Sequence, residues 1–150
     1  MSNFLNIESD FLDKTILKIE ENLSDEGFGV SELAESLDMS RSNLLRKVQK
    51  LTDLSVSVLI RQTRLHHAQE FLRSDELTVS EVSYKVGFNS VSYFTKCYRE
   101  HYGYPPGEER AKFLESKSKP PKDSHNVVSK RWFVPIAVML VIVLVIIFFP

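Results

Sequence analysis

The chain has 150 residues, room for one compact domain of about 100 residues and some accessory segments. Its formal charge of −1 hides a segregation. Residues 1–40 carry ten acids and two bases (net −8), residues 41–64 six bases and one acid (net +5), and residues 116–150 five bases and one acid (net +4). A basic block inside a near-neutral chain permits a polyanionic partner. A single cysteine, Cys97, excludes an intrachain disulfide and fits a reducing compartment. No secretory apolar run opens the chain. No stretch has the spacing of a metal-ligand cluster, a phosphate-cradling loop or a nucleophile elbow, so neither catalysis nor a cofactor is expected.

With five Gly and six Pro, and apolar residues recurring at helical spacing, the folded part reads as all-α. Leu12, Ile16, Ile19 and Leu23 stripe a first helix over about 9–23. Ser31 caps a short helix to about 37, with Leu33, Ala34 and Leu37 inward, and Ser40 caps a third over about 41–51. Ser55 opens a long helix, about 56–73. Thr78-Val79-Ser80-Glu81 is a capping box that opens a short helix to about Lys85. Gly87-Phe88-Asn89 turns into a helix over about 91–102, and Pro106 begins a last one, where a missing N–H costs little. Residues 116–131 are polar, Pro-containing and aperiodic, a linker.

The chain contains an internal repeat. At an offset of 49, Val30, Ser31, Glu32, Leu33, Ala34, Leu37 and Met39 fall on Val79, Ser80, Glu81, Val82, Ser83, Val86 and Phe88. One extra residue in the second turn makes the offset 50, and Ser40, Leu44, Arg46, Val48 and Asp53 fall on Ser90, Phe94, Lys96, Tyr98 and Gly103. Each copy is a short helix, a tight turn and a longer capped helix with a base in its second turn, which is a helix-turn-helix pattern. In that pattern the second helix enters the major groove and its N-terminal half meets base edges. Residues 56–73 would span roughly 27 Å, close to the ~34 Å that separates successive grooves on one face of a duplex. Paired short helices are also an ordinary way for small all-α domains to pack, but matched caps, core positions and bases are not expected of packing alone.

The same residues carry a family resemblance. Leu33-Ala34, Ser40, Leu44 and Arg46, then Ile60-Arg61, Arg64-Leu65, Ala68 and Leu72, resemble the DNA-binding domain of the AraC/XylS family of bacterial transcription regulators. The second half matches more closely, through Val79, Glu81-Val82, Val86-Gly87-Phe88, Ser90, Ser92-Tyr93-Phe94, Tyr98, Tyr102-Gly103, Pro106 and Arg110. The resemblance covers residues 10 to 113 and is especially similar to versions at the C-terminus of bacterial hybrid sensor kinases. It implies an all-α, seven-helix double helix-turn-helix domain over 1–115, with two units joined by a long linker helix. Asp53-Leu54-Ser55-Val56 stands where the family has Gly-x-Ser-Pro; Asp tolerates a left-handed turn at some cost relative to Gly.

What the resemblance implies for reading DNA falls on two short segments. In the first recognition helix these are Ser42, Leu45 and Arg46, with Arg41 and Asn43 beside them. In the second they are Val91, Ser92, Thr95 and Lys96, with Asn89 and Ser90 placed to reach phosphate. Arg46 is the strongest of them, because its fork suits guanine or phosphate. Lys47, Lys50 and Arg99 are expected to track phosphate and add salt-dependent affinity without sequence information. His66 and His67 point about 100° apart and cannot share a ligand well. Cys97 and the aromatics Phe88, Tyr93, Phe94, Tyr98 and Tyr102 are read as core.

Residues 132–149, Trp132 to Phe149, run 18 positions without a charge and would span roughly 27 Å, enough for a transmembrane helix. Lys117, Lys119, Lys122, Lys130 and Arg131 precede it, which puts the N-terminal domain in the cytoplasm at the inner membrane, single-pass. The expectation is a membrane-tethered transcription regulator, the cytoplasmic part of a one-component sensor, with double-stranded DNA, the bilayer and the transcription machinery as partners. A homodimer is compatible with the tether, although no heptad run demands one. The competing expectation is a membrane-anchored protein-interaction module that has lost DNA readout, kept in view by the acidic residues 1–40 and by apolar Leu45 and Val91.

Overall fold

A computed structural model describes residues 2–74 and 76–118, with side chains described from Asp10 onward. The transmembrane run 132–149, and the linker beyond Ser118, lie outside the described residues. The elements in chain order are α1 (Ser2–Glu21), α2 (Val30–Ser36), α3 (Arg41–Thr52), α4 (Val56–Arg73), α5 (Val79–Lys85), α6 (Val91–Tyr102), a 3-10 turn (Pro106–Glu108) and α7 (Glu109–Ser118). All-α therefore holds for the described residues, and none of their helices is long and apolar enough to cross a membrane. The long helix and the sixth helix have the expected bounds, because Ser55 and Ser90 each accept an N–H from the third residue beyond them.

Two departures have local causes. α2 starts at Val30, not after Ser31, because the Glu32 carboxylate reaches back to accept the Gly29 N–H at 3.0 Å. The inward stripe of α1 is Phe11, Thr15 and Ile19, with Leu12 and Ile16 only half-buried. Thr15 tolerates full burial because its hydroxyl donates to the Phe11 carbonyl at 2.7 Å. At the other end α7 runs to Ser118, so the first three residues of the expected linker are helical.

The long helix α4 belongs to both halves of the domain. Its first half puts Val56, Leu59 and Ile60 into a core with Phe11, Ile19, Phe28, Leu33, Leu44 and Val48. Its second half puts Leu65, Ala68 and Leu72 into another, with Val82, Val86, Phe88, Phe94, Cys97 and Tyr98. Cys97 and the aromatics at 88, 94 and 98 are core, as read from the sequence; Tyr93 is not, being 48% exposed. Each core is the apolar floor of one helix-turn-helix unit, and burial of such side chains stabilises by about 1.5–3 kcal/mol apiece. α4 is thus the rigid strut that fixes the spacing of the two units.

Candidate nucleic-acid interface

The duplication seen in sequence is repeated in the backbone. In the first turn Asp38 takes a left-handed conformation (φ 52°) and in the second Gly87 does (φ 76°). Around them the same hydrogen bonds form: Asp38 N–H to Glu35 O and Met39 N–H to Ala34 O, against Gly87 N–H to Tyr84 O and Phe88 N–H to Ser83 O. This is a Schellman closure in both copies, at the offset of 49. Asn89 is the extra residue that takes the offset to 50. Ser40 and Ser90 then cap α3 and α6, and both helices end on a left-handed residue, Asp53 (φ 57°) and Gly103 (φ 82°). Asp53 therefore does the backbone work of the family's glycine.

This frame decides which side chains face outward. On α3 Leu44 and Val48 are buried, and the exposed face carries Arg41, Ser42, Leu45, Arg46 and Lys50, with Asn43 at its edge. Arg46 Nη2 donates to Asn43 Oδ1 at 3.2 Å, which steadies the guanidinium. On α6 Phe94, Cys97 and Tyr98 are buried; Ser92, Lys96 and Arg99 are exposed, and Val91 and Thr95 half-exposed. Asn89 is exposed and Ser90 half-exposed at the mouth of that helix. The expected residues thus gather on two equivalent helix faces. Lys47 stands apart from them: its ammonium lies 3.8 Å over the Phe11 ring, on the side of α3 that faces α1. Its counterpart at the offset of 50 is buried Cys97, which marks that position as inward in both copies.

Three residues outside the expected set share this surface. Gln49 is exposed one turn beyond Leu45, at the position equivalent to Arg99. The repeat offset carried that signal. Arg61 on α4 and Tyr93 on α6 meet between the units, the Arg61 Nη1 donating to the Tyr93 hydroxyl at 3.4 Å. They border a cavity of about 300 Å³ that also touches Phe28, Ile60, Phe88 and Asn89.

Beneath that cavity Arg64 clamps the two units together. Its guanidinium donates to the carbonyls of Asp25 (2.6 Å), Phe28 (3.2 Å) and Gly87 (3.1 Å). Burial lowers its pKa from the ordinary arginine value and Asp25 partly restores it. Arg64 belongs to the basic block of the sequence, yet it is committed to backbone carbonyls. A second charged cluster, the Glu109 carboxylate, accepts from the hydroxyls of Tyr98 and Tyr104 (2.7 Å each), Arg73 Nε (2.9 Å) and Gln69 Nε2 (3.3 Å). It ties the start of α7 to the second core, away from the recognition faces. Neither histidine joins a metal cluster among the described residues; His67 bridges Glu20 and Glu70 instead.

Comparison with known proteins agrees with this geometry. A histidine kinase from Formosa agariphila, Histidine kinase P4, is 29% identical over 110 residues, 73% of this chain and 8% of the kinase. The transcriptional regulator GbdR of Pseudomonas aeruginosa is 34% identical over 110 residues, 73% of this chain and 30% of the regulator. This chain accordingly spans less than a third of the length of either relative. Among solved structures, the DNA-binding domain of the global transcriptional factor AdpA, in complex with a target DNA, superposes with a TM-score of 0.63. It is 26% identical, over 73% of this chain and 97% of that one. The matched family is a DNA-binding one and not a family of enzymes. Residues 33–112 match the family model described as "Helix-turn-helix domain", and over that more than half of its length this protein belongs to the helix-turn-helix family, in its AraC form.

Proposed function

We propose that this chain is a membrane-tethered, sequence-specific transcription regulator that grips duplex DNA with two helix-turn-helix units in successive major grooves. The observation that carries the reading is the doubled frame itself: two recognition helices with matching caps and closures, each with its polar face exposed, held on one strut. In this reading Arg46 and Lys96 are the principal contacts, at equivalent places. Ser42, Leu45, Val91, Ser92 and Thr95 sample base edges, and Arg41, Asn43, Lys50, Asn89, Ser90 and Arg99 reach phosphate. Lys47 acts by bracing α3 against Phe11. The match to part of a histidine kinase supports a domain type that travels with sensors. The apolar run 132–149 and the bases before it support a single-pass anchor in the inner membrane, the described domain on the cytoplasmic side, as the DNA-facing part of a one-component sensor. The transcription machinery is the partner such a regulator would act through, and a tether raises local concentration enough to favour a homodimer.

The test is selection of duplexes from random DNA by residues 1–116, which form one compact unit, with the Arg46→Ala/Lys96→Ala double variant alongside. A two-part motif with half-sites about one helical turn apart, lost in the variant, is the expected outcome. A well-folded domain that recovers no motif sinks the reading and favours the membrane-anchored interaction module, to which exposed Leu45 lends an apolar contact. Membrane attachment is checked separately, by whether the full chain pellets with membranes and resists high-salt extraction.

A further inference from the structure

We propose that the seam between the two units is a third DNA contact: Arg61 and Tyr93 hold the sugar-phosphate backbone where it passes between the half-sites. The inference rests on the duplex-binding reading and adds a site to it. Arg61 lies on α4, and with Ser57 and Arg64 it falls on one stripe of that helix (i, i+4, i+7), open to the 300 Å³ cavity. Tyr93 is the third residue of α6, next to Ser92 on the second recognition face, and 48% exposed. The cavity lies between the α1–α2 segment, α4 and the start of α6, so a duplex held by α6 and continuing toward α3 runs past it.

The chemistry fits a phosphodiester better than a solvated surface base. Arg61 makes no ion pair among the described residues; one of its N–H groups is spent on the Tyr93 oxygen. That contact leaves the phenol proton and the remaining guanidinium donors available among the described residues, and a guanidinium fork matches a phosphate oxygen pair. Two guanidinium groups, those of Arg61 and Arg64, face one carboxylate, that of Glu26, around the cavity. Apolar Phe28, Ile60 and Phe88 complete its wall. Arg64, whose Nη1 and Nη2 are committed to three carbonyls while its Nε is buried without a partner, contributes field and no direct contact.

The test uses the full chain in mild detergent on its selected duplex, comparing wild type, Arg61→Ala and Tyr93→Phe, with single neutral methylphosphonates placed between the half-sites. Arg61→Ala is expected to weaken binding about tenfold at ~100 mM salt and to lower the salt slope by ~0.9, the loss of one phosphate contact, while leaving the selected motif unchanged. Tyr93→Phe, which keeps the ring, should cost about threefold. A methylphosphonate at the gripped position should weaken the wild type and leave Arg61→Ala unaffected. This arm compares duplexes on one folded protein, so a folding defect cannot mimic it. An unchanged salt slope, or equal methylphosphonate losses in the two proteins, overturns the seam contact while leaving two-groove binding intact. Failure of the wild type to select any duplex removes the underlying reading, and the seam contact with it.

Discussion

The two helix-turn-helix units share a backbone and almost nothing of their surface. At the offset of 50, α3 carries Arg41, Arg46, Lys47 and Lys50 with no acid, whereas α6 carries Lys96 and Arg99 against Glu100. Lys50 and Glu100 occupy the same place with opposite charge, and Glu100 lies 3.9 Å from Lys96. The cores differ in the reverse sense. The first is mainly aliphatic. The second is a chain of rings, Phe88 to Phe94 (5.2 Å), Phe94 to Tyr98 (5.7 Å) and Tyr98 to Tyr102 (4.6 Å), fastened to Glu109. Caps, left-handed closures and core positions fix the frame, and side chains outside those positions are free to specialise. The first unit carries the larger positive charge, and the second carries the ring-on-ring packing.

The left-handed turn gives the sharpest contrast. At Gly87 a Cβ would stand 2.5 Å from the Leu23 carbonyl oxygen and 3.0 Å from Arg64 Cζ, so Gly87→Ala forces the clamp between the units apart. Strained φ and overpacking together should cost about 3 kcal/mol or more. Asp38→Ala at the equivalent exposed turn is expected to cost about 1 kcal/mol, because only the backbone preference is at stake. Chemical denaturation of the two variants checks this, and equal losses would show that the turns are under no different constraint.

Glu109 gives the next largest effect. Burial opposes its charge, but the hydrogen bonds from Tyr98, Tyr104, Arg73 and Gln69 together hold its pKa below the usual carboxyl value. A depressed carboxyl contributes stability that is present above its unfolded pKa of ~4.3 and is lost as pH falls through the folded value. Burial, reinforced by Glu109, pushes Tyr98 up, and Tyr102 and Tyr104 move the same way. Raised phenols contribute stability that is present below about pH 10 and is lost as pH climbs beyond it. Glu109→Gln is expected to cost about 2 kcal/mol at pH 7 and to flatten the acid limb below ~pH 4.3. Denaturation at pH 7 and pH 3.5 measures both, and an acid limb as steep as in the wild type would rule out Glu109 as its source.

Sequence reading reached most of the frame and little of the wiring. Ser40, Ser55, Thr78 and Ser90 announced helix starts because a hydroxyl cap acts within three residues, and the repeat offset separated outward from inward positions on α3 and α6. Thr15 does not read as core in the sequence, because the carbonyl that satisfies it belongs to its own helix and leaves no mark on hydropathy. The carbonyls that hold Arg64 lie 23 to 39 positions away, and the partners of Glu109 lie 5, 11, 36 and 40 positions away, none at a helical spacing that would mark either charge as different from a solvated face. For the same reason the sequence groups Lys47 with the outward bases, whereas its ammonium lies over Phe11.

The smallest effect expected is also the most direct comparison of the units. Glu100→Lys gives α6 the charge that Lys50 gives α3, and removes the carboxylate beside Lys96. Both side chains are well exposed, so an ion pair there contributes little to folding and stability should stay within about 0.5 kcal/mol. Duplex binding should respond more, because the variant gains a base and loses an acid on the same helix face. The salt slope should rise by about 0.9 if the new lysine reaches phosphate, and affinity by severalfold at ~100 mM salt, with the sequence motif unaltered. Lys50→Glu should shift the slope by a similar amount in the opposite direction. If only Lys50→Glu has an effect, α6 does not approach the backbone closely enough at that position to use a charge, and the two units dock at different depths despite their common frame. If both respond equally, the charge difference between the helices is a difference in strength of grip and not in docking geometry.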